Sequence, residues 1–263
     1  MGLDETVVSR WILKKFMEDF LDSLDIDVSI IGAGPAGLAA SMFIARAGKK
    51  VAIFEKHPYC GGGLLSGGML LPRGIVTNRA KPLLEEIGVF LTEAERNCYT
   101  INSIELASKL SSKAVDSGVR IWNNTMVEDV IFRKGKIEGV VVNWAAVKIA
   151  KLHVDPLAIR SRIVIDATGH DAEIAQIVKE KVPHAKFPTK TGGIIGEKSM
   201  WAVVGETEIL NNTQEIYPGF IVAGMAANTV FGSPRMGAVF DGMLLSGKKA
   251  ADVALGVLRK KRA

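Results

Sequence analysis

The chain has 263 residues, 48% apolar and 23% charged, enough to bury one sizeable core, and one domain over residues 1–263 is expected. No apolar run approaches the roughly 20 residues that span a bilayer. The opening MGLDETVV lacks a basic stretch followed by an apolar one, so a soluble cytoplasmic protein with no membrane partner is expected. The net charge of +5 is scattered except for RKKR at Arg259–Arg262, and without an aromatic-rich basic face it reads as a solvated helix end, not a nucleic-acid site. Cys60 and Cys98 cannot make a disulfide framework and have no zinc or iron–sulfur spacing, which fits a reducing compartment.

From Glu5 to Leu24, Val8, Trp11, Ile12, Phe16, Phe20 and Leu24 recur at helical spacing among Arg10, Lys14, Glu18 and Asp22. This predicts an amphipathic helix over 5–24 that closes the core or packs on another subunit. DVSIIGAG is a short apolar strand ending in glycine, PAGLAASMFIARAG has helix composition, and KKVAIFEK is a second strand after the stop at Gly48. Together they form a β–α–β unit of a doubly wound sheet. A glycine-rich loop, CGGGLLSGGML, follows, then a helix near RAKPLLEEIGV and another at INSIELASKLSSKAVDSG. Further strands come from VRIWNNTMVEDVIFRKGKIEGVVVNW and RIVIDATG. The last third, from GFIVAGMAAN to KKAADVAL, holds a strand, a glycine-punctuated loop and a long helix. Alternating strands and helices place the chain in the α/β class, with no solenoid-length repeat and no low-complexity segment.

Gly32, Gly34 and Gly37 spell G-x-G-x-x-G between that first strand and helix, and Glu55 ends the next strand, the spacing of a dinucleotide-binding fingerprint. Gly32 permits the tight turn, with Ala33 beside it. Gly34 lets backbone approach a pyrophosphate, Gly37 allows close helix–sheet packing, and the helix start near Ala36 offers N–H groups to the anion. Glu55 can accept from ribose hydroxyls and would repel a 2′-phosphate, which favours NAD over NADP. The bland alternative is that the glycines only shape a strand–helix turn.

The order of these pieces resembles the two-dinucleotide-motif flavoprotein superfamily. That resemblance implies a Rossmann-like FAD/NAD-binding fold with a small inserted β subdomain. In the superfamily an ATG motif follows a later strand, as DATGHD does at Asp166–Asp171, and a C-terminal GD supplies the aspartate that holds the ribityl chain of FAD. The matching stretch here is FIVAGMAAN, so Met225 stands at the aspartate position and cannot accept those hydrogen bonds well. This counts against flavin.

GAGPAGLAA, EKHPYCGGG, KLHVDP, ATGHDAE and VAGMAANTVFGSPRMG together resemble the thiamine thiazole synthase family, in its archaeal, sulfide-dependent branch. The resemblance runs from the first strand to the final helix. It implies that NAD is a substrate: nicotinamide is released, the ribose opens to a ketone, glycine condenses, and sulfur enters to give an adenylated thiazole carboxylate. Eukaryotic members give up the sulfur of a cysteine before MDP. Here KLHVDP places His153 at that position, so free sulfide is the implied sulfur source. The resemblance further implies Fe(II) held by Asp155 and His170, a carboxylate and an imidazole that suit ferrous iron with open positions. From spacing alone, His170 reads equally as a turn histidine and Asp155–Pro156 as a turn pair.

By the same carry-over Arg235 fixes the glycine carboxylate, for which a guanidinium fork is suited. Lys56 and Gly63 flank the pyrophosphate and ribose, the backbone of Val127 reads the adenine edge, and His153, Asp155 and Met225 also contact the dinucleotide. His153 is the implied catalytic group, since an imidazole can exchange a proton at neutral pH, with an ordinary strand-end histidine as the alternative. His57 and His184 read as surface residues. The resemblance implies a homo-oligomeric ring, with eight copies one expected size, and the Trp11–Phe16–Phe20 face offers apolar surface to bury. Three other functions remain open: a ribose 1,5-bisphosphate isomerase or ribulose bisphosphate synthase, a flavin-dependent oxidoreductase, and a non-catalytic NAD-binding module.

Overall fold

The computed structural model describes residues 4–260. Helix α1 (Glu5–Asp22) begins where the Asp4 carboxylate accepts from the N–H groups of Thr6 (2.8 Å) and Val7 (3.1 Å), satisfying two orphan donors of the first turn. It ends two residues before the predicted boundary, at Asp22, because the chain turns directly into β1 (Asp25–Ile31). The predicted Trp11–Phe16–Phe20 face divides. Phe16 and Phe20 stack 5.5 Å apart, and both meet Trp122 edge-on within the chain. Trp11, 57% exposed, stays outside with Val8, Ile12, Leu13, Met17 and Leu21.

After β1 come α2 (Pro35–Arg46) and β2 (Val51–Phe54), the predicted β–α–β unit. The next stretch departs from the expected helices alone. β3 (Arg73–Thr77), α3 (Lys81–Glu86), β4 (Thr92–Glu95) and β5 (Cys98–Asn102) make an antiparallel sheet in the order β3-β5-β4, the small inserted β unit. Its strands carry little signal: β4 is TEAE, exposed throughout. Then follow α4 (Ser103–Asp116), β6 (Arg120–Trp122), the hairpin β7 (Thr125–Arg133) and β8 (Lys136–Trp144), α5 (Ala145–Ile149) and β9 (Leu157–Asp166). The last third holds α6 (Glu173–Lys181), α7 (Ala202–Asn212), β10 (Gln214–Tyr217), β11 (Phe220–Val222), α8 (Met225–Phe231) and α9 (Asp241–Lys260). The predicted glycine-punctuated loop thus contains the helix α8. Of the RKKR run, Arg259 and Lys260 end α9, and Lys261 and Arg262 lie outside the described residues.

The main sheet runs β10-β11-β9-β1-β2-β6, with the β7–β8 hairpin joined through β8 to β9. β11, β9, β1, β2 and β6 are parallel, and β10 is antiparallel at the edge. Both faces are covered, which is why β1 and β2 read as nearly continuous apolar runs. Side chains still alternate. Ile30, Ile53, Ile163 and Ile165 face α2, α4 and α9, whereas Ile31, Phe54, Val164 and Val222 face the hairpin, α6 and α8. Helices α2 and α9 pack through small residues: a Cβ on Gly247 would stand 2.3 Å from the Ala36 carbonyl oxygen.

Two buried carboxylates fix the start of α9, one to β3 and one to α7. Asp241, at the start of α9, accepts from the Thr77 N–H at 2.9 Å and from its hydroxyl at 2.6 Å, joining α9 to β3. Glu206 on α7 accepts the Gly242 N–H at 2.7 Å through one oxygen, and its other oxygen, Oε1, has no partner. Burial, with Asp241 beside it, pushes the Glu206 carboxyl up to about 7. Among the described residues, no helix is long and apolar enough to cross a membrane.

Candidate functional site

The carboxyl ends of β1, β2 and β9 open onto a cavity of about 370 Å³, the crevice where doubly wound sheets place their ligands. Gly32, Gly34, Ala36, Glu55, Lys56, Gly63, Val127, His170 and Met225 all line it, and Ala33 is buried just behind. Gly32 (φ +100°) and Gly37 are glycines for reasons internal to the chain. A Cβ on Gly32 would lie 2.5 Å from the Ala167 carbonyl oxygen, and one on Gly37 would lie 2.0 Å from that of Gly32. Gly34 differs: a Cβ there would meet nothing within 4 Å, and the same holds for Gly63. The space in front of these two belongs to the cavity, at the N-terminus of α2, where N–H groups and the helix dipole favour an anion.

Glu55 is buried, with Oε2 accepting the Ala33 N–H and Oε1 the His57 N–H, each at 2.8 Å. It therefore pins the glycine turn to the end of β2, and each oxygen keeps a lone pair for a further donor. Lys56 is paired with Glu173 at the start of α6. Burial alone would lower its ammonium, but Glu173, with Asp171 and Glu55, more than offsets this and holds the group above the ordinary lysine range. Beneath the ATG turn, Asp166 is fully buried and gathers the N–H groups of Thr168 (3.0 Å), Ile174 (3.1 Å) and Ala175 (2.9 Å). Burial pushes its carboxyl up, against the pull of the Thr168 hydroxyl and these N–H groups.

A second cavity of about 560 Å³ adjoins the first, and His170 and Met225 wall both. Arg235 lines only the second. Between His170 and Arg235 sits Glu197, which sequence reasoning missed. Its Oε2 meets His170 Nδ1, and its Oε1 pairs with Arg235 Nε at 3.2 Å. Nothing in IGEKSM marks Glu197 out: it is one charged residue in a glycine-bearing loop, brought inward only by the fold. His170 is also held by its backbone, its carbonyl accepting the Thr229 hydroxyl at 2.8 Å.

His153 and Asp155 lie elsewhere. Both are exposed in the loop between α5 and β9, where they line a polar cleft with Glu128 and Asn143. Asp155 and His170 therefore share no cavity within the chain. Among the described residues, no group of three or more histidine, cysteine, aspartate or glutamate side chains is placed to hold a metal ion. His57 is exposed at the rim of the first cavity, stacked on Tyr59, and His184 is exposed away from it. Both cysteines are free, and burial, with Glu55 nearby, raises the Cys60 thiol.

The Thi4 family model matches residues 9–240. A thiamine thiazole synthase of Methanococcoides burtonii is 50% identical over 256 residues, covering 97% of this chain and 98% of that protein. That of Methanothrix thermoacetophila is 48% identical over 256 residues, covering 97% of each. The crystal structure of Thermovibrio ammonificans THI4, 38% identical, superposes over the full length of both chains with a TM-score of 0.93. The cavity pair, the methionine at its wall and the glycine turn are thus set in a fold shared from end to end with these proteins, and the chain belongs to the Thi4 family.

Proposed function

We propose that this protein builds the adenylated thiazole carboxylate precursor of thiamine from NAD, glycine and free sulfide, releasing nicotinamide in an iron-dependent reaction. One observation carries the reading: His170 and Met225 form the wall between a nucleotide-sized cavity and a second cavity that holds Arg235. The ADP part of NAD lies along the glycine turn, with its pyrophosphate at the α2 N-terminus beside Gly34, Lys56 and Gly63. Glu55 takes ribose hydroxyls, and Val127 faces the adenine. The nicotinamide ribose then reaches the shared wall, where nicotinamide leaves. Arg235 holds the carboxylate of glycine in the second cavity, so that the glycine amine meets the ribose-derived ketone.

Free sulfide fits the sulfur chemistry of the chain. His153 stands at the donor position, and the half-buried Cys60 carries a raised thiol pKa, the wrong direction for a sulfur-giving thiolate. The donor set of one chain is short for iron. His170 has its Nδ1 anchored by a carboxylate, as ligating imidazoles commonly do, and no further protein ligand gathers beside it. The set fits ferrous iron once Asp155 of another copy joins His170, leaving positions open for substrate and sulfide. Bound there, Fe(II) would hold sulfide and polarise the sugar carbonyl. His153, two residues from Asp155, arrives from the same neighbour and serves as the proton-exchanging group.

This arrangement requires a homo-oligomer, a closed ring with eight copies one candidate size. The uncovered outer face of α1 supplies apolar surface for it. Anaerobic mass spectrometry of small molecules released after incubation with NAD, glycine, sulfide and Fe(II) tests the reaction. The adenylated thiazole carboxylate is expected in excess over wild-type protein and absent with His170→Ala. Intact NAD throughout would point instead to an NAD-binding module or to an enzyme acting on ribose bisphosphates.

A further inference from the structure

The reading above leaves Glu197 without a task, yet its surroundings are built around it. Its side chain is 18% exposed, while those of His170 and Arg235 are 51% and 53% exposed. The backbone on either side is stitched to the segment that carries Arg235. Gly196 N–H donates to the Thr229 carbonyl at 3.0 Å and Lys198 N–H to that of Ser233 at 3.1 Å. Arg235 N–H donates to Lys198 at 3.3 Å, and Trp201 N–H to Arg235 at 3.0 Å. The carboxylate is thus delivered to a fixed point by a small main-chain ladder, and each of its oxygens is committed to a different functional side chain.

We infer that Glu197 is a positioning residue that sets the state of both His170 and Arg235. This rests on the reading that those two side chains hold iron and the glycine carboxylate. A carboxylate at Nδ1 stabilises the tautomer with its proton on that nitrogen, leaving the Nε2 lone pair for a metal. On the other side, Glu197 occupies Arg235 Nε, leaving the two terminal amino groups of the guanidinium to face a substrate carboxylate as a fork. One side chain therefore orients the iron ligand and the glycine anchor together, so that their spacing is set by a single carboxylate.

The test compares Glu197→Ala and Glu197→Gln in the full-length assembled protein, with three readouts. Nitrogen-15 shifts of the His170 imidazole in metal-free protein report the tautomer, with His170→Ala assigning the signal. Competition with a chromophoric chelator gives Fe(II) affinity, and the steady-state assay gives KM for glycine. Glu197→Ala is expected to mix the tautomers, weaken Fe(II) about tenfold or more, and raise the glycine KM about tenfold, with NAD affinity unchanged. Glu197→Gln keeps an acceptor for the imidazole N–H but loses the charge opposite Arg235. It should restore the tautomer and bring iron affinity to within about threefold of wild type, while the glycine KM stays high.

That split separates positioning from mere structural support. Wild-type tautomer, iron affinity and glycine KM in the alanine variant would overturn the proposal, as would a parallel loss of NAD, iron and glycine binding in both variants. If the wild type makes no thiazole, the reaction reading fails, and the tautomer and iron affinity alone decide the role of Glu197. Should the alanine variant not fold, the glutamine variant carries the decision through its tautomer and glycine KM.

Discussion

The cradle at the glycine turn and the polar cluster across the His170–Met225 wall are neighbours built on opposite terms. The cradle is finished within one chain: its turn glycines are dictated by backbone contacts, and Glu55 is satisfied by two N–H groups. The polar side is unfinished. Its imidazole and guanidinium are half exposed, and Asp155 lies in a different cleft. Binding a nucleotide requires a rigid shape, which a single chain can supply from its core. In the proposed reaction several small reactants would need converging polar groups, which are costly to bury and which one chain leaves apart.

The largest effect that would sharpen this contrast comes from two neighbouring glycines. Gly37→Ala drives a Cβ into the Gly32 carbonyl and is expected to cost about 3 kcal/mol in urea unfolding. Gly34→Ala meets only open space and should leave stability within about 0.5 kcal/mol while weakening NAD in calorimetry by tenfold or more. Equal effects at both positions would break the distinction between a packing glycine and a binding one.

Glu206, buried on α7 against the start of α9, gives the next effect. Its carboxyl is raised from 4.5 to about 7 in the folded protein. At about 1.4 kcal/mol per unit, and allowing for relaxation around the group, about 2 kcal/mol is at stake. Because the folded state favours the neutral acid, this contribution is fully present below pH 4.5 and is lost as the pH rises through about 7. Glu206→Gln should remove that slope, making the variant more stable than wild type at pH 8 and comparable at pH 4. A wild-type slope that survives the substitution would assign the pH dependence to another group.

Subunit mixing addresses the incompleteness directly. Asp155→Ala and His170→Ala are each expected to be inactive. Co-refolded in equal amounts, they should regain about a quarter of wild-type sites if iron sits between two copies, and none if each chain works alone. The smallest energetic effect lies at the outer face of α1. Ile12, 63% exposed, replaced by Glu, should change the melting of the isolated chain by under about 0.5 kcal/mol yet shift sedimentation to a smaller species. An unchanged assembly would move the interface elsewhere on the surface.

The cradle was legible because its causes are local. The β1–α2–β2 unit announces itself through an apolar run, a glycine triplet and an acid at the next strand end, all within about thirty residues. The β3-β5-β4 sheet was expected only as the small inserted β subdomain that the resemblance implies, and its place was not legible in the residues. Its strands include TEAE, and β3 bridges to Val239 in the loop that leads into α9, far away in sequence. Met225 could be read as a departure from a flavin site because a neighbouring motif fixes its register. Glu197 could not, since its meaning comes from two partners 27 and 38 residues away that only the folded chain brings to it. The outward turn of Trp11 and inward turn of Phe16 and Phe20 likewise depend on Trp122, which joins from β6.

The open space before Gly34 and Gly63 has one more consequence for the proposed reaction. In that reaction the cradle would grip the ADP portion of NAD, and that portion would pass through unaltered. The product would therefore keep nearly all of the substrate's hold on the protein, losing the contacts of the departed nicotinamide and gaining that of its carboxylate with Arg235. Such an enzyme is expected to work under strong product inhibition, with its turnover set by dissociation and its output governed by whichever reaction next consumes the adenylated thiazole.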